Sequence, residues 1–499
     1  MAKGFRHSLI VQCLLFFLLF SSSSIQQVWA STDEEINSET APITKTNEDT
    51  SPSFYGSRAV TQDMNQAETV KVEFQRRSIA PPIIDGIAIT DETLPLTKSP
   101  LNLSVVEESK VNDKQSPSLN TLLPIPLSRK ELLLANKAKY YIERNWNKET
   151  GLIDSVQGYH HSTMWDVASG IAAILSLEGI GLMTSDEASQ KISRTLTTLE
   201  TLPLYDNRLP NREYSTLNGK PSGRYSNSSS NGNGWSALDV GRLLIWLEIT
   251  TQHKPQFTKQ ITAIKNNWQL SEAIFNKTLY GELKTSKKNL FRQEGRLGYL
   301  QYAAQGFRLA GFDVNGAYKI RNISPEIIDD ELFFIDKRNL PYFTTDPYVL
   351  NAIEMGQENA WWDQLDSLFT LQKNKSGEEK QLWVFAEDAM NKAPWFSYNN
   401  IFIYGRSWVS TSPGGKPVEN PQIFSNKVAQ GLSVLYPEDP FSQTLHNQVV
   451  DNSLSYRSVP TGLYENSATN TAFNINTNSL ILASLWFKHR NYIPLILVK

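Results

Sequence analysis

Apolar residues recur at helical spacing along the chain from about residue 128 to the C-terminus, and the recurrence takes two forms. From Thr184 to Glu200, Thr184 and Glu187 open the segment and Ala188, Ile192, Leu196 and Leu199 fall on one face. That stripe predicts an amphipathic helix with its long polar side in water. The segment NSLILASLWF, starting at Asn478, is apolar nearly all round, as a helix flanked on every side should be. Ser128 to Trp146 sets Leu132, Ala135, Lys139 and Ile142 at helical spacing behind Ser128 and Glu131, a capping-box pair. Thr163 to Glu178 places Ala168, Ile171, Ala172 and Leu175 on one side, and Gly234 to Ile249 does so with Val240, Leu244 and Leu247. Further helices are predicted over Leu297–Leu309, Tyr348–Met355, Ala360–Leu371, Asn426–Leu435 and Asn478–Lys488. Strand-like alternation is scarce; Trp383-Val384-Phe385 and Ile401-Phe402-Ile403 read as short strands or buried turns. Alternating outer and fully apolar helices, joined by long loops, predict an all-α (α/α) toroid of about six helical hairpins over residues 126–499. A plain helical solenoid is the rival, but no fixed repeat period is visible.

The N-terminal part has a different pattern. Lys3 and Arg6 precede an apolar run from Leu9 to Phe20, and Val28-Trp29-Ala30 has the small-x-small form of a cleavage site. The run is short for a membrane span, so residues 1–30 read as a signal peptide and the mature protein as periplasmic or secreted, with no membrane span after cleavage; an uncleaved N-terminal anchor is the alternative reading. Residues 31–125 are rich in Ser, Thr, Asn, Asp and Glu without sustained periodicity, and predict a disordered polar spacer. Within it, the stretches around Val70–Phe74 and Pro81–Ile89 could order against a partner. Cys13, the only cysteine, lies in the leader, which leaves the mature chain without disulfide or thiol chemistry.

Formal net charge is -3, and loss of Lys3 and Arg6 with the leader takes it to -5. With no basic surplus to neutralise phosphates, nucleic acid is excluded as a partner class. The 12 Trp and 19 Tyr exceed what a helical core needs, and rings beside Asp, Glu and Asn suit the C–H faces of sugars. No phosphate loop, nucleophile elbow or cysteine cluster appears. His160 and His161 are adjacent and have no third His nearby, so neither a metal site nor a cofactor is expected.

Several phrases carry a resemblance. They are Glu149-Thr150-Gly151-Leu152, then Thr163-Met164-Trp165-Asp166 leading into VASGIAAIL. The string GWSALDVGRLL from Gly234 is the most specific, and Glu465 followed by Thr477-Asn478-Ser479-Leu480-Ile481-Leu482 completes the set. From Ser128 onward the chain resembles the bacterial DUF3131 family, a glucoamylase-like group placed with six-hairpin glycosidases. The Thr163–Leu175 phrase is also similar to the inner-helix start of β-1,2-glucanase-type glucoamylase-like enzymes. The resemblance implies a toroid fold and a polysaccharide or oligosaccharide ligand.

Glycosidic cleavage needs one protonated carboxyl and one ionised carboxylate, and toroids of this kind place them where inner helices begin. Asp166 and Asp239 stand at such starts, each three residues after a Thr or Ser, so capping competes with ligand binding as their role. Asp346, before Pro347, is explained by N-capping. Glu294 reads as a ligand-facing acid or, more simply, as a solvated loop partner of Arg292 or Arg296. Glu387 and Asp388 have no helix-start explanation; they lie between Trp383 and Trp395 in an apolar segment. Burial of two adjacent acids would retain one proton, which makes Glu387 or Asp388 the expected general acid, with Glu465 or Asp166 opposing it. A solvated turn holding Lys392 or Lys380 is the alternative reading. Asp239, Trp165, Trp235, Tyr159, His161, Trp395, Tyr398, Glu294 and Arg242 are the expected substrate-binding residues. The expected function is an exported glycoside hydrolase acting on a glucan or envelope polysaccharide. The alternatives are a non-catalytic glycan-binding or scaffold protein, or a polysaccharide lyase, which the negative charge disfavours.

Overall fold

The computed structural model describes residues 123–497, apart from 339–342, 358–359, 404 and 413–415. The expected signal peptide and the spacer up to residue 122 lie outside the described residues. Eleven α-helices are described: α1 (Arg129–Asn145), α2 (Met164–Gly179), α3 (Ser185–Thr201), α4 (Ala237–His253), α5 (Thr258–Asn267), α6 (Tyr299–Leu309), α7 (Asp346–Glu354), α8 (Gln364–Glu379), α9 (Asn426–Leu435), α10 (Pro440–Ser453) and α11 (Ile475–His489). Contacts run α2–α4–α6–α7–α9–α11 and back to α2, which closes a ring of six inner helices. α1, α3, α5, α8 and α10 alternate with them along the chain as outer helices. The fold is an (α/α) toroid.

Composition separates the two layers. Every residue of α2 from Met164 to Leu177 is buried, whereas α3 buries only Ala188, Ile192, Thr195, Leu196 and Leu199. The spacing of that set leaves one narrow apolar stripe to anchor an outer helix. Truncating Ile192 in the stripe to Ala would cost about 2–4 kcal/mol. Between α4 and α6 the backbones touch, because a Cβ on Gly306 would meet the Gly241 carbonyl oxygen at 1.9 Å. Only glycine permits that approach, and it draws the inner ring tight at this point.

Three features depart from the expected pattern. The sixth outer position, between α6 and α7, holds an antiparallel hairpin, Ile323–Ile328 paired with Glu331–Asp336, whose second strand packs against α8. Short strands are also commoner than alternation suggested. Phe396–Ile403 is the middle strand between Asp388–Ala389 and Arg406–Thr411, with Asp388 opposite Ser397 and Ala389 opposite Phe396. Gln422–Ser425, Gly462–Tyr464 and Thr469–Asn470 make a second three-stranded sheet. These sheets are built from loop segments, where pairing rather than a two-residue hydrophobic period defines the strand. Their polar buried residues, such as Asn399, Asn400 and Gln422, hide the alternation. Helices α5 and α10 were also absent from the expected set; α5 buries only Ile261 and Ile264, too few to show periodicity.

Candidate active site

The starts of the inner helices share a pocket enclosing about 800 Å³, part of it open to solvent. Thr163, Trp165 and Asp166 come from α2 and its cap, Arg242 from α4, Asp346 from α7, Lys427 from α9, and Asn474 and Asn476 from the start of α11. Asp388 and Phe396 enter from the strands that precede α9, and Glu387 from the residue just before the first of them. Four carboxylates and two cations therefore meet in one place, although they are spread over more than 250 positions of sequence. Ring closure produces this, since it brings distant helix starts to one end of the toroid.

Asp166 caps α2 and also lines the pocket. Its Oδ2 accepts from the backbone N of Thr163 at 2.9 Å and from the Thr163 hydroxyl at 2.8 Å, while the Thr163 hydroxyl accepts from the Asp166 amide, a complete capping box. Its Oδ1 accepts from the Asn476 side chain at 3.0 Å across the seam between α2 and α11. Asn476 in turn accepts from Ser169 at 2.7 Å. Capping fixes the carboxylate in place without removing it from the pocket.

Two of the other carboxylates, Asp346 and Asp388, and the main chain of Glu387 surround Lys427. Its Nζ lies 2.6 Å from Oδ1 of Asp346 and 3.2 Å from Oδ1 of Asp388, and donates to the backbone carbonyl of Glu387 at 2.5 Å. Asp388 Oδ2 also accepts from Gln422 and Ser425, each at 2.6 Å. Burial pushes the Asp388 carboxyl up to about 6; Lys427 opposes that rise and Asp346 adds to it. Glu387 is buried too, and its Oε2 accepts from the Tyr299 hydroxyl at 3.1 Å. Both acids are buried, which excludes the alternative reading of a solvated turn around Lys392 or Lys380. Asp346, from the start of α7, is a like-charge neighbour of Asp388. Asp346 does not cap α7 either: it is the first helical residue, and its Oδ2 accepts from the Glu387 amide at 2.9 Å.

Trp165 forms part of the pocket wall and is held from behind. The Arg242 guanidinium sits 4.5 Å from its ring centroid, a cation–π contact, and pairs with Glu354 at 3.5 Å. Burial raises the Glu354 carboxyl, Arg242 opposes this, and the Tyr302 hydroxyl donates to Glu354. Arg242 thus faces the pocket with its charge already matched from the core.

The remaining expected residues separate. Tyr159 stacks on His161 at 4.6 Å, and both contact Glu213, the phenol at 2.8 Å and the imidazole Nδ1 at 3.2 Å. Tyr159 and Trp395 pack on Val156, which lines the pocket, so they stand at its margin. Tyr398 is buried edge-on to Phe396. Asp239 is buried at the start of α4, its amide donating to Ser236 at 3.3 Å, and does not line the pocket. Three expectations need correction. Trp235 is fully buried, its indole donating to the Tyr280 carbonyl, so no sugar can stack on it. Glu294 is not a solvated loop acid: it is fully buried, pairs with Arg212 at 2.9 Å and accepts from the Ala237 amide at 2.6 Å, holding the start of α4. Glu465 is exposed in the turn after Gly462–Tyr464 and lies outside the pocket. Lys427, Asn476, Tyr299 and Phe396 were not anticipated. Lys427 carried a signal, a lone cation in the first turn of an apolar helix, where it opposes the helix dipole.

Comparison with known proteins agrees with this architecture. The family model described as "Protein of unknown function (DUF3131)" matches residues 133–491. No curated protein matches the sequence. Among solved structures, the chain resembles an endo-β-1,2-glucanase from Chitinophaga pinensis, solved with sophorotriose and glucose, at TM-score 0.56 and 10% identity. That match covers 72% of this chain and 93% of the other. It also resembles a protein of Bacteroides fragilis provisionally named a glucoamylase, at TM-score 0.54 and 12% identity, covering 76% and 97%. A similarly named protein of Bacteroides caccae matches at TM-score 0.51 and 12% identity, covering 73% and 92%. At such identities the likeness is one of fold. The match over 133–491 spans most of the chain, and the chain belongs to the DUF3131 family.

Proposed function

We propose that the chain is an exported glycoside hydrolase acting on a glucan, with Glu387 as general acid and Asp166 as the second carboxylate. The observation that carries this reading is the gathering of Asp166, Asp346, Glu387 and Asp388 at one end of the toroid, beside Trp165 and Phe396. Glu387 is preferred over Asp388 as proton donor. Both Asp388 oxygens are engaged by Gln422, Ser425 and Lys427, whereas a general acid must give its proton to a ligand. In the reaction, Glu387 protonates the glycosidic oxygen as the bond from the anomeric carbon breaks. Asp166 either takes a proton from the attacking water or attacks the anomeric carbon itself. Inverted product would identify the first course and retained product the second.

The substrate choice begins with β-1,2-glucan, because the Chitinophaga pinensis neighbour is an enzyme for that polymer. The two pocket cations also favour a neutral chain over a uronate. Lys427 is matched by Asp346 and Asp388, and Arg242 by Glu354, so a lyase reaction would lack the neutralising charge it needs. Export rests on the leader sequence at residues 1–30. The test is digestion of a panel of neutral glucans by the full chain, reading oligosaccharide release. Release from at least one glucan is expected. Tight binding of the same polymers without any release would replace the hydrolase by a glycan-binding protein on the same fold.

A further inference from the structure

Three local rules of helix construction are broken within one small volume, and all three favour the same group. Lys427 is the second residue of α9, where a positive charge opposes the helix dipole. Ser425 stands at the N-cap of α9 but makes no capping bond; its hydroxyl goes to Asp388 instead. Thr345, at the N-cap of α7, also makes no capping bond, and the Asp346 carboxylate beside it turns to Lys427 and to the Glu387 amide. Where the fold needs only a cap, as at Thr163 and Asp166, the cap is made. Local conflicts that converge on one site are what functional constraint produces.

We infer that Lys427 is the positioning residue of this site: its ammonium binds Asp346, Asp388 and the main chain of Glu387 as one unit and so presents the Glu387 side chain to the pocket. An ammonium has three N–H donors, and three acceptors from two other segments lie within 3.2 Å of Nζ. With the Asp346 oxygen on the Glu387 amide, both backbone polar atoms of residue 387 are held, so its side chain has a fixed origin. A structural ion pair alone does not account for this, since an apolar set of equal volume is often as stable as a buried pair. Two buried carboxylates retained at the cost of a cation at a helix start imply that the carboxylates are wanted there.

The role of Glu387 as acid rests on the hydrolase reading, but the tie itself does not, and the two can fail separately. Asp388 reports the tie directly. The charged groups around it are Lys427 of α9 and Asp346 of α7; Glu387, Asp166 of α2 and Arg242 of α4 complete the pocket. Losing Lys427 would leave Asp388 and Asp346 as adjacent like charges, which favours retention of a proton. The experiment is a carboxyl 13C NMR titration of the full-length protein and of K427M, with the Asp388 signal assigned by its loss in D388N. The midpoint is expected to rise by at least about one pH unit in K427M, and kcat on the cleaved glucan to fall at least about tenfold with KM little changed. An unmoved midpoint in folded K427M would overturn the inference. If K427M does not fold, D388N/K427M should, because it removes the carboxylate left without its cation; failure of that rescue while D388N alone folds would also overturn it. A moved midpoint in a protein that cleaves no glucan would remove the hydrolase reading and leave the tie intact.

Discussion

The Tyr299 hydroxyl donates to Oε2 of Glu387 across 3.1 Å and joins the first residue of α6 to the segment entering α9's strand neighbours. Tyr299 also packs edge-on to Trp165 at 5.7 Å, so one phenol touches both the wall and the acid of the pocket. Replacing it by Phe keeps the packing and deletes the hydrogen bond. Y299F should therefore lower kcat by about tenfold, one hydrogen bond's worth, with KM little changed and stability reduced by about 1 kcal/mol. Steady-state kinetics beside a urea melt would show it. Full turnover in Y299F would mean that the phenol only packs.

Asp388 gives stability a defined pH dependence. The folded protein holds its proton up to about pH 6, while an aspartate in the unfolded chain releases it near pH 4. Between these values the folded state binds more protons, so this contribution is fully present below about pH 4 and is lost as pH rises through about 6. The loss amounts to about 2–3 kcal/mol for a shift of this size. Urea melts at intervals from pH 4 to 7.5 should show this component in the wild type and not in D388N. Parallel curves for the two proteins would contradict it.

Glu294 and Arg212 supply the opposite case, a buried charge with a structural task. Gly281 makes room for the carboxylate, since a Cβ there would lie 2.1 Å from its Oε1. E294A should cost about 3–4 kcal/mol, because it removes the carboxylate that pairs with Arg212 and holds the start of α4. Glucan affinity of the fraction that remains folded should be unchanged. A calorimetric melt with a binding isotherm separates the two effects.

Glu465 is the simplest contrast. It is exposed and outside the pocket, so E465Q should keep wild-type turnover within about twofold and change stability by less than about 0.5 kcal/mol. A hundredfold loss in this variant would reopen its candidacy.

Much of the toroid was legible because inner and outer helices differ in how far round they are apolar, as α2 and α3 show. The beginnings of helices were legible from capping pairs such as Ser128–Glu131 and Thr163–Asp166, both of which form. The Ile323–Asp336 hairpin was not, because it replaces a helix whose place only the closed ring defines. In the pocket, Glu387 and Asp388 were legible as acids in an apolar segment. Asp346 was misread because an acid before Pro at a helix start fits capping so well. Its actual partners, Lys427 and the Glu387 amide, are remote in sequence and meet it only through the fold. Glu294 shows the same limit, since its burial depends on Arg212 and Gly281 from other segments.

The central claim is that Glu387 protonates the leaving oxygen of a glucan, and the most direct measurement is the turnover of E387Q on the glucan that the wild type cleaves fastest. Gln keeps the shape and the contact with Tyr299 but has no proton to give. E387Q should lose at least about a hundredfold in kcat, bind the glucan within a few fold of wild type, and melt near the wild-type temperature. Turnover close to wild type in a folded E387Q would contradict the assignment of the general acid and, with it, the mechanism proposed for this pocket.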